Sequence, residues 1–440
     1  MKNIFQTFLN TKKTKEIIGM HTTIFLSLKK FFEQLRVEIY IFFCTFSIRR
    51  LFFLRKVKKK PLINVVFFAS NLSMWRYQHL YELMNKNNRF KTYIVLVPFL
   101  NYSKKQQSKD LDELKIFFDS KKIKYYMYNS CNIKSEIAPD ILFYPQYAFD
   151  CLDKKCDANK FKNRLLCAYP YSFKDSKASW SYNNCFHNAA WKLFYPTQST
   201  LEEAKELAFN KGKNVVVTGY PNADDFLSAQ KIDVWKPQNR KKKRIIWAPH
   251  FTIEQGISPL FYSTFLKFST FMQNLSKRYN DEIQFAFKPH PRLFVELCKH
   301  RCWGDKKADE YYSWWNNQDN TQLDTGDFID LFKTSDAIIH DCGSFSIEYF
   351  YTKNPALFLS YDIDAVKKVK NEVGKAAINT HYLGKNEDDI VNFIENVVLK
   401  NNDPMKEQRD LFFNKYLLPP NGKSVAQNTM DDILKSLNIK

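Results

Sequence analysis

The sequence predicts an α/β fold of two doubly wound domains, each a largely parallel sheet with helices on both faces. Three observations carry this. Short, near-continuous apolar runs such as Leu62 to Ala69 and Ile283 to Phe287 alternate with amphipathic helical patterns, as expected for strands buried on both faces. The alternation restarts after a polar break, Asp225 to Arg240, which holds Pro237 and ends in a basic run. A chain of 440 residues is long enough for two such units with full cores.

Residues 1–60 form a separate segment. They carry about half of the net charge of +21, with Glu16, Glu33 and Glu38 as their only acids. Phe25, Leu28, Phe32, Leu35, Ile39, Phe42 and Phe46 recur at spacings of three and four, which makes one apolar helical stripe flanked by Lys and Arg. The most apolar run, Val37 to Ile48, falls short of the ~20 residues a spanning helix needs and contains Glu38. No small-residue cleavage site follows it, so a signal peptide is not expected. The pattern fits a basic amphipathic helix lying on an anionic membrane surface at the cytoplasmic face. The alternative is a helix packed on the protein's own core.

Residues 61–235 read as the first domain. Its strands are expected at Leu62 to Ala69, Phe90 to Val97, Ile123 to Tyr128, Ile141 to Tyr144, Leu165 to Tyr169, Leu193 to Tyr195 and Val215 to Thr218. Helices are expected at Met74 to Met84, Leu111 to Phe118 and Leu201 to Ala208. Residues 236–440 read as the second domain, with strands Arg244 to Trp247, Ile283 to Phe287, Ala337 to Ile339 and Ala356 to Leu359. Helices from about Glu387 complete it, the last of them expected to cross back to the first domain.

Nine scattered cysteines include no CxxC pair, and reduced thiols are the simplest account. The spacing of Cys298, His300 and Cys302 gives poor tetrahedral geometry, so no metal site and no cofactor are expected. No RNA-binding signature accompanies the charge, so no nucleic-acid partner is expected either.

The chemistry concentrates at two strand ends. The strand Ala337 to Ile339 runs into His340-Asp341-Cys342-Gly343-Ser344 and then a helix with Glu348 one turn in. Such a turn presents free backbone N–H groups to a phosphate, Gly343 permits close approach, and Ser344 and Ser346 add hydroxyls. His340 reads either as a ligand or as a satisfied core histidine. The strand Ile283 to Phe287 ends in Lys288-Pro289-His290-Pro291, which places a cation and an imidazole where open α/β sheets bind ligands.

Four elements, KPHPRL, HDCGSFSIEY with TKNPALFL, IIWAPHFT and VTGYPNADDF, resemble those of CDP-glycerol glycerophosphotransferases of the teichoic-acid and capsule polymer type. The resemblance runs from about Leu62 to Leu359 and is strongest after Val215. The family's usual form of the main element reads roughly TDYSSVMFDY, so this chain carries a variant. The resemblance implies a GT-B-like fold, with two Rossmann-like domains facing a cleft. It implies a catalytic His290. The nucleotide-donor site is expected at Lys288, His340, Gly343, Ser344, Ser346 and Glu348, the last placed like the acid that holds ribose hydroxyls in GT-B enzymes. One departure matters: the family's first-domain histidine, in a Trp-His-Gly turn, has no counterpart in Tyr169-Pro170-Tyr171-Ser172. His250, in the Ala248-Pro249-His250 turn, is the expected replacement, ahead of His187.

The leading expectation is a membrane-associated transferase. It would move a polyol phosphate from a CDP-linked donor to a lipid-linked or polysaccharide acceptor and release CMP. The alternatives are a GT-B glycosyltransferase using a nucleotide sugar, a sugar-nucleotide epimerase, and a non-catalytic capsule-assembly scaffold.

Overall fold

The computed structural model describes residue 39 and residues 48–439, apart from 147–148, 177 and 255–262. Except for Ile39, the expected membrane-surface stripe of residues 25–46 lies outside the described residues. Helix α1 (Ile48–Lys58) leads into a seven-stranded sheet. Its strands are β1 (Ile63–Ala69), β2 (Phe90–Leu96), β3 (Tyr126–Met127), β4 (Ile141–Tyr144), β5 (Leu165–Ala168), β6 (Lys192–Tyr195) and β7 (Val215–Val217). A six-stranded sheet follows: β8 (Lys243–Ala248), β9 (Ile283–Phe287), β10 (Thr321–Leu323), β11 (Ala337–His340), β12 (Ala356–Leu359) and β13 (Tyr382–Gly384).

The strand orders are β3-β2-β1-β4-β5-β6-β7 and β10-β9-β8-β11-β12-β13, and every pairing is parallel. In each sheet the chain leaves its first strand toward one edge, then returns to build the other side. The points of reversal lie between β1 and β4 and between β8 and β11. Ligands in open α/β sheets bind outside the carboxyl ends of strands at such points. The fold is α/β and GT-B-like, as expected.

Strands β10 and β13, absent from the sequence reading, are three-residue edges. Each has one buried residue (Thr321 in Thr-Gln-Leu, Gly384 in Tyr-Leu-Gly), so neither requires an apolar run. The helix expected at Met74 to Met84 begins later, as α2 (Gln78–Lys86), after a single 3-10 turn at Leu72–Met74. Asn71 caps that turn by accepting the Met74 N–H at 2.9 Å, so this stretch keeps turn geometry instead of joining the helix.

One apolar core joins the two sheets. It holds Phe67 and Phe143 from the first, Ile246 and Ile338 from the second, and Met430, Ile433 and Leu437. The last three belong to helix α6 (Val425–Leu437), which crosses back and packs on α2. Tyr169 donates its hydroxyl to Thr429 Oγ1 at 2.7 Å, and Asp224 accepts the first two amides of α6, Val425 N (2.7 Å) and Ala426 N (2.9 Å).

Helix α1 docks on the same core through buried Val57 and half-buried Phe53 and Leu54, while Arg50 donates to the Ala189 carbonyl. This end of the basic segment is therefore core-packed. Its outer face leaves Ile48, Leu51 and Phe52 more than 60% exposed, beside exposed Arg49, Arg55 and Lys56. No helix among the described residues is long and apolar enough to cross a membrane.

Candidate active site

Strands β8 and β9 pair from Lys243–Ile283 to Trp247–Phe287 and end side by side. The ladder continues past both: Lys288 N donates to Trp247 O (2.8 Å) and His290 N to Pro249 O (3.0 Å). Pro249 and Pro289 have no N–H to continue the pairing, so the chains turn out here and carry a histidine each. Beneath them Trp247 stacks on Phe265, the first residue of helix α3 (Phe265–Arg278), at 5.7 Å and 9°, and packs on Phe287 (5.1 Å), which makes the base rigid.

The imidazoles of His250 and His290 meet with ring centroids 4.9 Å apart at 65°. Phe251 packs on both, at 4.4 Å and 4.5 Å, and the Arg292 guanidinium lies 4.2 Å over Phe251. Burial and Arg292 push His290 down to about 4; burial, His290, Lys370 and Arg292 push His250 down to about 3. Both rings are neutral at pH 7. His290 Nδ1 accepts the Arg292 backbone N–H at 3.1 Å, so its proton resides on Nε2. His250 Nδ1 lies 3.0 Å from Thr252 Oγ1, which orients that ring.

Asp341 ties this pair to β11. Its carboxylate accepts His250 N (2.5 Å), Thr264 N (2.5 Å) and Thr264 Oγ1 (2.8 Å), and burial pushes it up to about 6. Asp341 has no role in the sequence analysis above, although an acid at a strand end before a Gly-Ser turn is a usable signal.

Two residues on, Gly343 faces an ion pair between Lys370 and Asp175. A Cβ there would sit 3.5 Å from Lys370 Nζ and 3.9 Å from Asp175 Oδ2, so the missing side chain keeps the turn open. Ser344 is half-buried at the head of the one-turn helix α4 (Phe345–Glu348). Glu348 is 2% exposed and accepts the Tyr220 hydroxyl from the first sheet's side; burial pushes it up to about 7.

Three expected donor-site residues are placed otherwise. His340 points to the opposite side of β11 from Asp341, fully buried, with Nε2 3.0 Å from His381 Nε2, and is a core histidine. Lys288 is buried, paired with Asp324 (2.7 Å) and donating to Gly326 O, so it does not present a free cation. The buried Ser346 hydroxyl donates to Gly343 O at 2.5 Å and braces the turn from within.

On the first sheet's side, the turn Tyr169-Pro170-Tyr171-Ser172 presents Tyr171, 43% exposed, while Tyr169 stacks on Tyr77 at 5.2 Å. His187 is fully buried with Nε2 2.6 Å from Tyr195 OH, in the core and away from this site. Residues 174–176 then cross to helix α5 (Glu372–Asn379). Asn371 donates N–H to Asp175 O (3.0 Å) and Nδ2 to Lys174 O (3.0 Å), while Ser176 bridges Lys370. Asp175, Tyr220 and Lys370 were missed by the sequence reading, for each acquires its place only through contact with the other half of the chain.

Comparison with known proteins gives a family and a fold. The family model for CDP-glycerol:poly(glycerophosphate) glycerophosphotransferase matches residues 173–435. Among solved structures, the wall teichoic acid polymerase TagF superposes with a TM-score of 0.56 at 16% identity, over 93% of this chain and 98% of that one. A TagF variant soaked with CDPG gives the same values. MnaA from S. aureus with UDP follows at 0.53 and 14%, over 87% and 98% of the two chains. At these identities the structural likenesses show the fold. Comparison with curated protein sequences gives no match.

Proposed function

The chain belongs to the CDP-glycerol:poly(glycerophosphate) glycerophosphotransferase family, and on that footing we propose that it transfers glycerol phosphate, or a related polyol phosphate, from a CDP-linked donor to a hydroxyl of a lipid-linked or capsular glycan. CMP is released. One observation supports the reading most: two neutral imidazoles, from neighbouring strand ends, stand together beside the open Gly343 turn at the reversal point of the second sheet.

The acceptor oxygen attacks the donor's β-phosphorus, the bond from that phosphorus to the CMP oxygen breaks, and the acceptor proton passes to an imidazole. His250 is the base, its ring oriented by the contact between Nδ1 and Thr252 Oγ1. His290 carries its proton on Nε2 and donates it as a hydrogen bond to a phosphoryl oxygen. The peptide N–H groups at Gly343 and Ser344 receive the diphosphate. Glu348 accepts from the ribose hydroxyls once Tyr220 has released it.

Attachment at the cytoplasmic face of a membrane completes the reading. It is supported by the basic first sixty residues and by the exposed Ile48, Leu51 and Phe52 of α1 among Arg and Lys. The test is product analysis with CDP-glycerol and a glycerol-phosphate-primed acceptor. CMP is the expected product. Release of CDP instead would transfer the protein to the glycosyltransferase reading.

A further inference from the structure

Arg76 stands at the other reversal point, in the turn between β1 and α2, and its backbone is clamped on both sides. Trp75 before it packs edge-on against Phe118 (5.0 Å) and donates Nε1–H to Gln78 (3.0 Å). Tyr77 after it donates to Tyr144 O (2.5 Å) and accepts the Tyr169 N–H (3.2 Å). The side chain between these anchors is half-buried, and its Nε is buried without a hydrogen-bond partner. Among the described residues the guanidinium makes no ion pair, whereas Lys288 is paired with Asp324 and Lys370 with Asp175. Its charge acts on Tyr171 and Tyr220 from its own side, and on Asp327 and Glu348 from the second sheet's side. It therefore lies where the two halves face each other.

A rigidly mounted arginine with an unsatisfied buried donor, at a sheet's ligand-binding edge, is prepared for an anion that presents two acceptor oxygens to its planar fork. We infer that Arg76 binds a phosphate group in the cleft, its guanidinium donating to the non-bridging oxygens opposite the Gly343 turn. Resting on the transferase reading, that phosphate is either the donor's diphosphate or the terminal phosphodiester of the acceptor.

Calorimetry on the full chain tests this with Arg76→Met, which keeps the stem and removes the charge, and Arg76→Lys, which keeps the charge and removes the fork. The probes are inorganic pyrophosphate, CDP-glycerol, and an acceptor with or without a terminal glycerol phosphate. Arg76→Met is expected to weaken pyrophosphate binding at least tenfold, with Arg76→Lys intermediate. A matching loss for CDP-glycerol assigns the donor; a rise in KM confined to the phosphate-bearing acceptor assigns the acceptor. Unchanged binding of every probe by a folded Arg76→Met protein overturns the inference. Should Arg76→Met not fold, Arg76→Lys binding every probe like the parent overturns it equally. If the parent binds pyrophosphate through Arg76 but does not bind CDP-glycerol, the transferase reading fails while this inference stands.

Discussion

The hydroxyl of Tyr220, carried by the first sheet's side, donates its hydrogen bond to the carboxylate of Glu348 on the second. Both side chains are almost wholly buried. The acid proposed to hold ribose is thus occupied in this state by a phenol, which stands where a sugar hydroxyl would. Donor binding must exchange one hydroxyl for the other, and that exchange couples the nucleotide to the contact between the two halves.

Tyr220→Phe removes the competitor. At pH 8.5, where Glu348 is ionised, donor affinity is expected to rise several-fold by calorimetry. The same change leaves a buried carboxylate without its donor, so the ligand-free protein should lose about 1–3 kcal/mol in denaturant unfolding. Weaker donor binding in a folded Tyr220→Phe protein would show that the phenol aids the ligand instead.

The pH dependence follows from named groups. His250 and His290 are held at about 3 and about 4, so neither should contribute a limb to kcat/KM near the usual histidine value. Glu348, raised to about 7, must be ionised to accept ribose hydroxyls, so kcat/KM should rise with pH through that region. Glu348→Gln should flatten this rise and weaken donor binding. A limb near pH 7 persisting in that variant would place the titration elsewhere.

The same group affects stability. The folded pKa of Glu348 is raised, so the native state holds the proton more tightly than the unfolded chain. Its contribution is most favourable below about pH 4.5 and is lost as pH rises toward 7. Glu348→Gln is therefore expected to be more stable than the parent at pH 8, by roughly 1–3 kcal/mol, and no more stable at pH 4.

Removal of either site histidine should lower kcat about a hundredfold or more. Glutamine separates their roles. Its amide N–H replaces a donor but not a base, so His290→Gln should retain more activity than His250→Gln. Equal losses would contradict the assignment of His290 as donor and His250 as base.

Gly374 lies in α5, where alanine would ordinarily favour the helix by about 1 kcal/mol. A Cβ there would overlap Asp175 O and sit 3.0 Å from Lys370 Cδ. Gly374→Ala should instead cost about 1–3 kcal/mol in thermal unfolding, and weaken donor binding by shifting the Asp175–Lys370 pair that faces the Gly343 turn.

The architecture was largely legible because a strand buried on both faces writes itself as an apolar run. Ile141–Tyr144, Ile283–Phe287 and Ala356–Leu359 were found to the residue. The short edges β10 and β13 were not, since half-exposed strands need no such run. Within the candidate site, His290 and Gly343 stand out in the sequence by the prolines and the glycine at strand ends, while His250 enters as the replacement for the resembled family's first-domain histidine. Lys288 and His340 share those motifs, and only their distant partners Asp324 and His381 show them committed elsewhere. Arg76, Asp175, Tyr220 and Lys370 depend on contacts between segments far apart in sequence, which local pattern does not encode.

Helix α6 has a consequence for synthesis. The ribosome emits β1 through β7 long before residues 425–437, yet Met430, Ile433 and Leu437 fill the core that β1 and α2 enclose. Until they emerge, the nascent first half presents an open apolar flank. Its final packing must follow translation of the second half, and it relies on shielding by other means in the interval. A premature stop after β13 would thus damage the amino-terminal sheet, not only the end that is lost.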